Sequence, residues 1–187
     1  MVNIFKSNVF WIIFASLIIS FSLTVFSNWV LLGCIWFAVF FIFRLSNLEK
    51  NLSISEHKLY IITALVFPII ETWLTWMIQK NIIPYSWFWL NRLEHFCSAI
   101  GVSIILLPLY VNIWHSLKWW QNLIFVSGLV CLIGNLNEFF EFFLRCFQPI
   151  NDSKFALYYS DTIYDMGVNL IGGFVGFLII KMNVRAL

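Results

Sequence analysis

The chain has 187 residues, of which 61% are hydrophobic, 20% aromatic and 11% charged, with a formal net charge of +2. A soluble domain must wet its exterior, and this composition leaves too little polar surface to do so. It therefore predicts one all-α, polytopic membrane domain over residues 1–187. The small, dispersed charge excludes nucleic acid as a partner, and continuous apolar runs rather than alternating strands argue against a β-barrel.

In chain order, the first apolar segment, Val9–Phe26, follows Lys6 and superficially resembles a signal peptide. Its small-residue cleavage pattern is poor and a second segment follows at once, so it reads as an uncleaved helix. Trp29–Phe43 is joined to it by Ser27-Asn28 alone. Both segments are short against the ~20 residues a span needs, which leaves a tight hairpin, a tilted helix or a shallow one open. Leu59–Ile78 carries Glu71. Leu93–Trp114 opens on Asn91-Arg92-Leu93-Glu94-His95. There Asn91 and Glu94 match a capping box, leaving Arg92 to pair with Glu94 or to reach headgroups.

Gln121–Phe143 carries Asn135, Asn137, Glu138 and Glu141. Its thirteen Leu, Ile, Val and Phe residues between Leu123 and Phe143 supply roughly −6 kcal/mol of insertion free energy. Two central glutamates would cancel that, so they must lie near the helix end, be protonated or be partnered. Packed carboxylates repel one another unless a proton or a cation sits between them. Thr162–Ile180 completes the set. Along it Asp161, Asp165, Asn169, Gly172 and Gly176 recur every three or four residues and share a face. Gly172 and Gly176 form a GxxxG seam for close helix approach, within the protein or between copies.

Six spans place Lys6, Arg44, Lys50, Lys58, Lys118, Lys181 and Arg185 on one side and Lys80, Arg92, Arg145 and Lys154 on the other. The excess of basic residues predicts both termini on the cytoplasmic side. Glu71, Glu94, Glu138, Glu141, Asp152, Asp161 and Asp165 then all belong to the outer half, and the tryptophans and tyrosines near the boundaries form interfacial belts. At a rise of ~1.5 Å per residue, Glu71 lies about 12 Å and His95 and Asp165 each about 6 Å below the outer edge. Polar groups from four helices therefore share one slab.

Charged groups at membrane depth mark function. The candidate catalytic residues are His95, Glu138 and Asp165. The candidate substrate contacts are Glu71, Arg92, Glu141, Asp161 and Asn169. His95, Glu138, Glu141, Asp161 and Asp165 can also hold a divalent metal, the set suiting Zn, Mn or Fe, although no HExxH or ExxH pair is present. Other readings are a lipid headgroup site in which His95 acts as acid or base, a proton relay, and polar glue in a scaffold or sensor that assembles with itself or a membrane or cytosolic partner. His57 and His115 fall in predicted cytoplasmic loops. Cys34, Cys97, Cys131 and Cys146 show no CxxC or disulfide spacing, and the first three are packing residues in helices.

The stretch Tyr159-Ser160-Asp161-Thr162-Ile163-Tyr164-Asp165-Met166-Gly167-Val168-Asn169-Leu170-Ile171-Gly172-Gly173 resembles the final-helix motif of VanZ-like membrane proteins. Asp165, Asn169, Gly172 and Gly173 match that motif, and Asn137-Glu138-Phe139-Phe140-Glu141 resembles the family's penultimate helix. The doubled Asp-Thr-x-x-Asp-Met form, with Arg92 and His95 as Arg-x-x-His, looks closer to a related group of six-helix bacterial membrane proteins. The resemblance covers about the C-terminal half. It implies a multi-pass protein of the bacterial inner membrane, and action on envelope lipids or lipid-linked glycans.

Overall fold

The computed structural model describes residues 6–25, 27–84, 88–146 and 152–184. Within these stretches the side chains of 20–34, 75, 79, 88, 140, 141, 144–146 and 152–158 lie outside the description. The fold is all-α: α1 (Asn8–Val25), α2 (Ser27–Leu45), α3 (Ile54–Gln79), α4 (Phe88–Ile105), α5 (Leu107–Ser116), α6 (Trp119–Cys146) and α7 (Asp152–Asn183), with a 3-10 turn at Leu48–Asn51. Among the described residues no strand occurs. The chain forms two compact units. The first is residues 1–87 with 107–112, and the second is 88–106 with 113–187.

The first unit is held by rings. Trp11 of α1 lies 4.1 Å, centroid to centroid, from Phe40 of α2, which stacks on Tyr60 of α3 at 5.0 Å. Trp11, Phe40 and Tyr60 are all buried. α3 starts on a capping box: Ser53 Oγ accepts from the Glu56 N–H (3.4 Å), and the Ser53 N–H donates to Glu56 Oε2 (2.6 Å). Inside α3, Pro68 lacks the N–H that would bond the Ala64 carbonyl. Trp36 of α2 supplies the missing donor, its Nε1 bonding Ala64 O at 3.3 Å. Thr72 Oγ1 donates to Pro68 O at 2.6 Å, a bond from the next turn back onto the proline's own carbonyl.

In the second unit α4, α6 and α7 pack on one another. Glycines set how closely. A Cβ on Gly172 of α7 would stand 2.6 Å from Ala99 Cβ and 2.7 Å from Phe96 O, and one on Gly176 would collide with Ser103 Oγ. On α6, a Cβ on Gly134 would collide with the Asn169 amide, and on α7 Gly173 faces Ser127 and Val130 of α6. The Gly172/Gly176 seam is thus filled by α4.

The single segment predicted over Leu93–Trp114 is two helices. It breaks at Leu106, and Pro108 sits in the first turn of α5. Proline suits that turn, where its missing N–H would have no helical partner anyway. The last helix begins at Asp152, ten residues before the apolar run, so Asp161 and Asp165 are interior helical residues. Ile54–Ile78, Trp119–Phe139 and Tyr159–Asn183 are each long and apolar enough to cross a membrane, and the bent α4–α5 pair makes a fourth if it is one span. α1 and α2 contribute shorter apolar stretches among the described residues, Asn8–Ile19 and Ile35–Leu45.

Candidate functional site

Three helices of the second unit aim polar side chains at one place. On α4, Asn91 and His95 are one turn apart and Arg92 lies three residues before His95, so all three share a face. On α7, Asp161 and Asp165 are likewise one turn apart. On α6, Glu138 is 4% exposed while its neighbour Phe139 is 69% exposed, which fixes the face the helix turns inward.

Arg92 Nη1 bonds Asp161 Oδ1 at 2.6 Å and lies 3.2 Å from Asp165 Oδ1. Its guanidinium also sits over the Tyr164 ring at 5.4 Å. Asn91 Nδ2 donates to both oxygens of Asp165, at 3.3 and 3.1 Å. His95 Nε2 lies 3.6 Å from Asp165 Oδ2 and 3.8 Å from Glu138 Oε1. Asp165 is therefore held by an amide that spans both its oxygens and by a guanidinium at Oδ1, and Oδ2 also faces the imidazole. His95, Glu138 and Asp165 each offer a ligand atom, and the three atoms lie within 4.8 Å of one another. Asn169, one turn deeper on α7, is buried against Gly134 of α6. The arrangement can bind a cation, exchange a proton through His95, or accept hydrogen bonds from hydroxyls.

His95, Glu138, Asp165, Arg92 and Asp161 are thus brought together. Glu71 is a buried residue of α3, in the first unit. The side chain of Glu141 lies outside the described residues, as do those of Cys34 and Cys146. Cys97 is exposed and Cys131 half-buried.

Three expectations need correction. Asn91 is not a cap: α4 begins at Phe88, so Asn91 is already helical and its amide serves Asp165. Arg92 reaches across to α7 and pairs with Asp161 and Asp165. His57 and His115 are not in loops: His57 lies in the first turns of α3, 3.5 Å from Glu49, and His115 in the last turn of α5. Sequence reasoning missed Asn91 as a member of the cluster, although its four-residue offset from His95 was the available signal.

The first unit has a cavity of its own, about 700 Å³, lined by Lys6, Arg44, Lys50 and His57 around Glu49. Arg44 lies 3.8 Å from Glu49 and also donates to Asn8 Oδ1 at 2.8 Å. Long basic side chains at the ends of apolar helices ordinarily meet headgroups in this way.

Apolar helices that bury an Asn/Arg/His/carboxylate cluster and turn phenylalanines outward define an integral membrane protein with an interior polar site. The model of the family described as Predicted membrane protein (DUF2238) matches residues 5–185, and the chain belongs to that family. No curated protein and no solved structure matches the chain.

Proposed function

We propose that this is a multi-pass protein of the bacterial inner membrane that binds the polar headgroup of an envelope lipid or lipid-linked glycan, at the level of the outer leaflet. His95 and an adjacent carboxylate supply an acid–base pair for processing it. The observation that carries the reading is the convergence of Asn91, Arg92, His95, Glu138, Asp161 and Asp165 from three helices. Packing alone has no need of three carboxylates, because charges are costly glue in a membrane. The resemblance of the α6 and α7 motifs to VanZ-like proteins supports an envelope lipid as ligand. Basic residues gathered at the other ends of the spans support the outer-leaflet placement.

The alternative, a scaffold or sensor that oligomerises or recruits a partner, would use the Gly172/Gly176 seam. That seam is already covered by α4 in the same unit, which favours the site over the scaffold. The test is binding of purified full-length protein to nanodiscs with and without phosphatidylglycerol in the outer headgroup layer. Co-purifying lipid is identified by mass spectrometry. The expected result is a retained envelope lipid that is lost in Asp165→Asn while the melting temperature is kept. Equal retention by both proteins would remove the reading.

A further inference from the structure

The cluster sets three carboxylates (Glu138, Asp161 and Asp165) against one guanidinium, with His95 among them. Glu138 and Asp165 are buried, and His95 is half-buried. In a membrane interior this imbalance must be cancelled, by protons or by a cation. The distances leave room for a cation. A proton shared between His95 and a carboxylate would draw donor and acceptor to about 2.7–2.9 Å. The imidazole nitrogen instead stands 3.6 and 3.8 Å from one oxygen of each carboxylate.

From these distances we infer that His95 Nε2, Glu138 Oε1 and Asp165 Oδ2 bind a zinc ion. With bonds of about 2.1 Å, a tetrahedral site has ligand-to-ligand edges of about 3.4 Å. An octahedral magnesium site would need neighbouring ligands at about 2.9 Å. The two His95 edges, at 3.6 and 3.8 Å, are nearer the tetrahedral spacing than the octahedral one, and all three ligand atoms lie within 4.8 Å of one another. One nitrogen and two oxygens are a set zinc accepts, and three protein ligands leave the fourth position for water or a ligand. A divalent cation also makes the group electroneutral, matching three carboxylates against Arg92 and the metal.

The surroundings are those a metal site needs. Asn91 donates to both Asp165 oxygens and Arg92 adds a contact at 3.2 Å, so the carboxylate is oriented by fixed donors. Arg92 is itself anchored by Asp161. Resting on the headgroup reading above, the ion also names the substrate class. A bare acidic cluster repels phosphate, whereas zinc with an open position beside Arg92 attracts it, so the headgroup is phosphate-bearing.

The test uses the full chain in detergent, stripped with chelator, reloaded with Zn²⁺ and desalted, with metal content measured by mass spectrometry. One zinc per chain is expected in the wild type. A chromophoric chelator competing for the ion should show affinity falling tenfold or more in His95→Ala and in Glu138→Gln. His57→Ala and His115→Ala should bind as the wild type does. Glu138→Gln keeps the side-chain shape, so it guards against loss through unfolding. Zinc should also raise the melting temperature of the wild type and leave that of His95→Ala unmoved. No stoichiometric zinc in the wild type, or equal zinc in His95→Ala, overturns the site. Binding of phosphatidylglycerol is then measured on stripped and loaded protein. Zinc without lipid binding keeps the metal and removes the headgroup reading. Lipid binding by a protein that holds no zinc does the reverse.

Discussion

Arg92 has the largest electrostatic task in the cluster. One guanidinium nitrogen serves Asp161 at 2.6 Å and Asp165 at 3.2 Å. Removing one partner of a largely buried ion pair leaves the other charge uncompensated, at a cost of about 3 kcal/mol. Arg92→Ala should therefore lower the melting temperature sharply in detergent, and Arg92→Lys should fall between it and the wild type, because lysine keeps the charge and loses the planar fork. If Arg92→Ala melts with the wild type, the pairing has no energetic weight.

His95, Glu138 and Asp165 were legible in the sequence because charged groups stand out in apolar helices. The partners of Arg92 were not. Residues two apart on a helix do not face each other, so Arg92 and Glu94 could not pair, and only the packing of α7 onto α4 supplies the actual acceptors. The place of Asn91 is not legible either, because the polar-to-apolar boundary falls inside the helix: Phe88, Trp89 and Leu90 are already helical.

At the scale of elements, the α4–α7 contact depends on missing side chains. A Cβ at Gly176 would collide with Ser103 Oγ and come within 2.9 Å of Ser103 Cβ, whereas one at Gly167 meets nothing within 4 Å. Gly176→Leu should cost about 1–3 kcal/mol as overpacking. Gly167→Ala should be neutral or up to ~1 kcal/mol stabilising, since alanine is the better helix former. Thermal melts of the pair separate a packing seam from a general intolerance of substitution. The GxxxG spacing was visible in the sequence, but which helix fills it was not, because the spacing is the same for an internal neighbour and a second copy.

α3 gives an independent case. Trp36→Phe preserves the ring that stacks on Phe67 at 4.7 Å and removes the donor to Ala64 O, the carbonyl that Pro68 leaves without a helical partner. A loss of about 1 kcal/mol is expected by melting. Pairing it with Pro68→Ala, which restores the backbone N–H, should cancel most of that loss.

At the scale of the whole molecule, apolar side chains cover the outside as well as the core. Glu56, Glu71, Ser103, Asn122, Glu138, Asp165 and Asn169 are buried, while Ile12, Leu17, Ile124, Leu132, Phe139 and Ile171 are more than half exposed. Lipid solvates the second set at no cost, and only protein can satisfy the first. The composition made this legible without coordinates. The break at Leu106 was less so, since a proline does not by itself end a helix: Pro68 lies inside the unbroken α3, whereas Pro108 opens α5.

Orientation follows from the same physics. Before α3 stand Lys6, Arg44 and Lys50, with Lys58 in its first turns. Lys80 is the single basic residue between its end and α4. Basic residues stay on the cytoplasmic side, so the turn around Ser46 should lie inside and that around Ile82 outside, whether or not α1 and α2 both cross. In a background with all four cysteines replaced by serine, Ile82→Cys should react with a membrane-impermeant maleimide in intact cells. Ser46→Cys should react only after lysis. The opposite pattern would turn the protein over and place His95, Glu138 and Asp165 toward the cytoplasmic leaflet. Their geometry and metal chemistry would survive that reversal, and the supply of ligand from the envelope side would not.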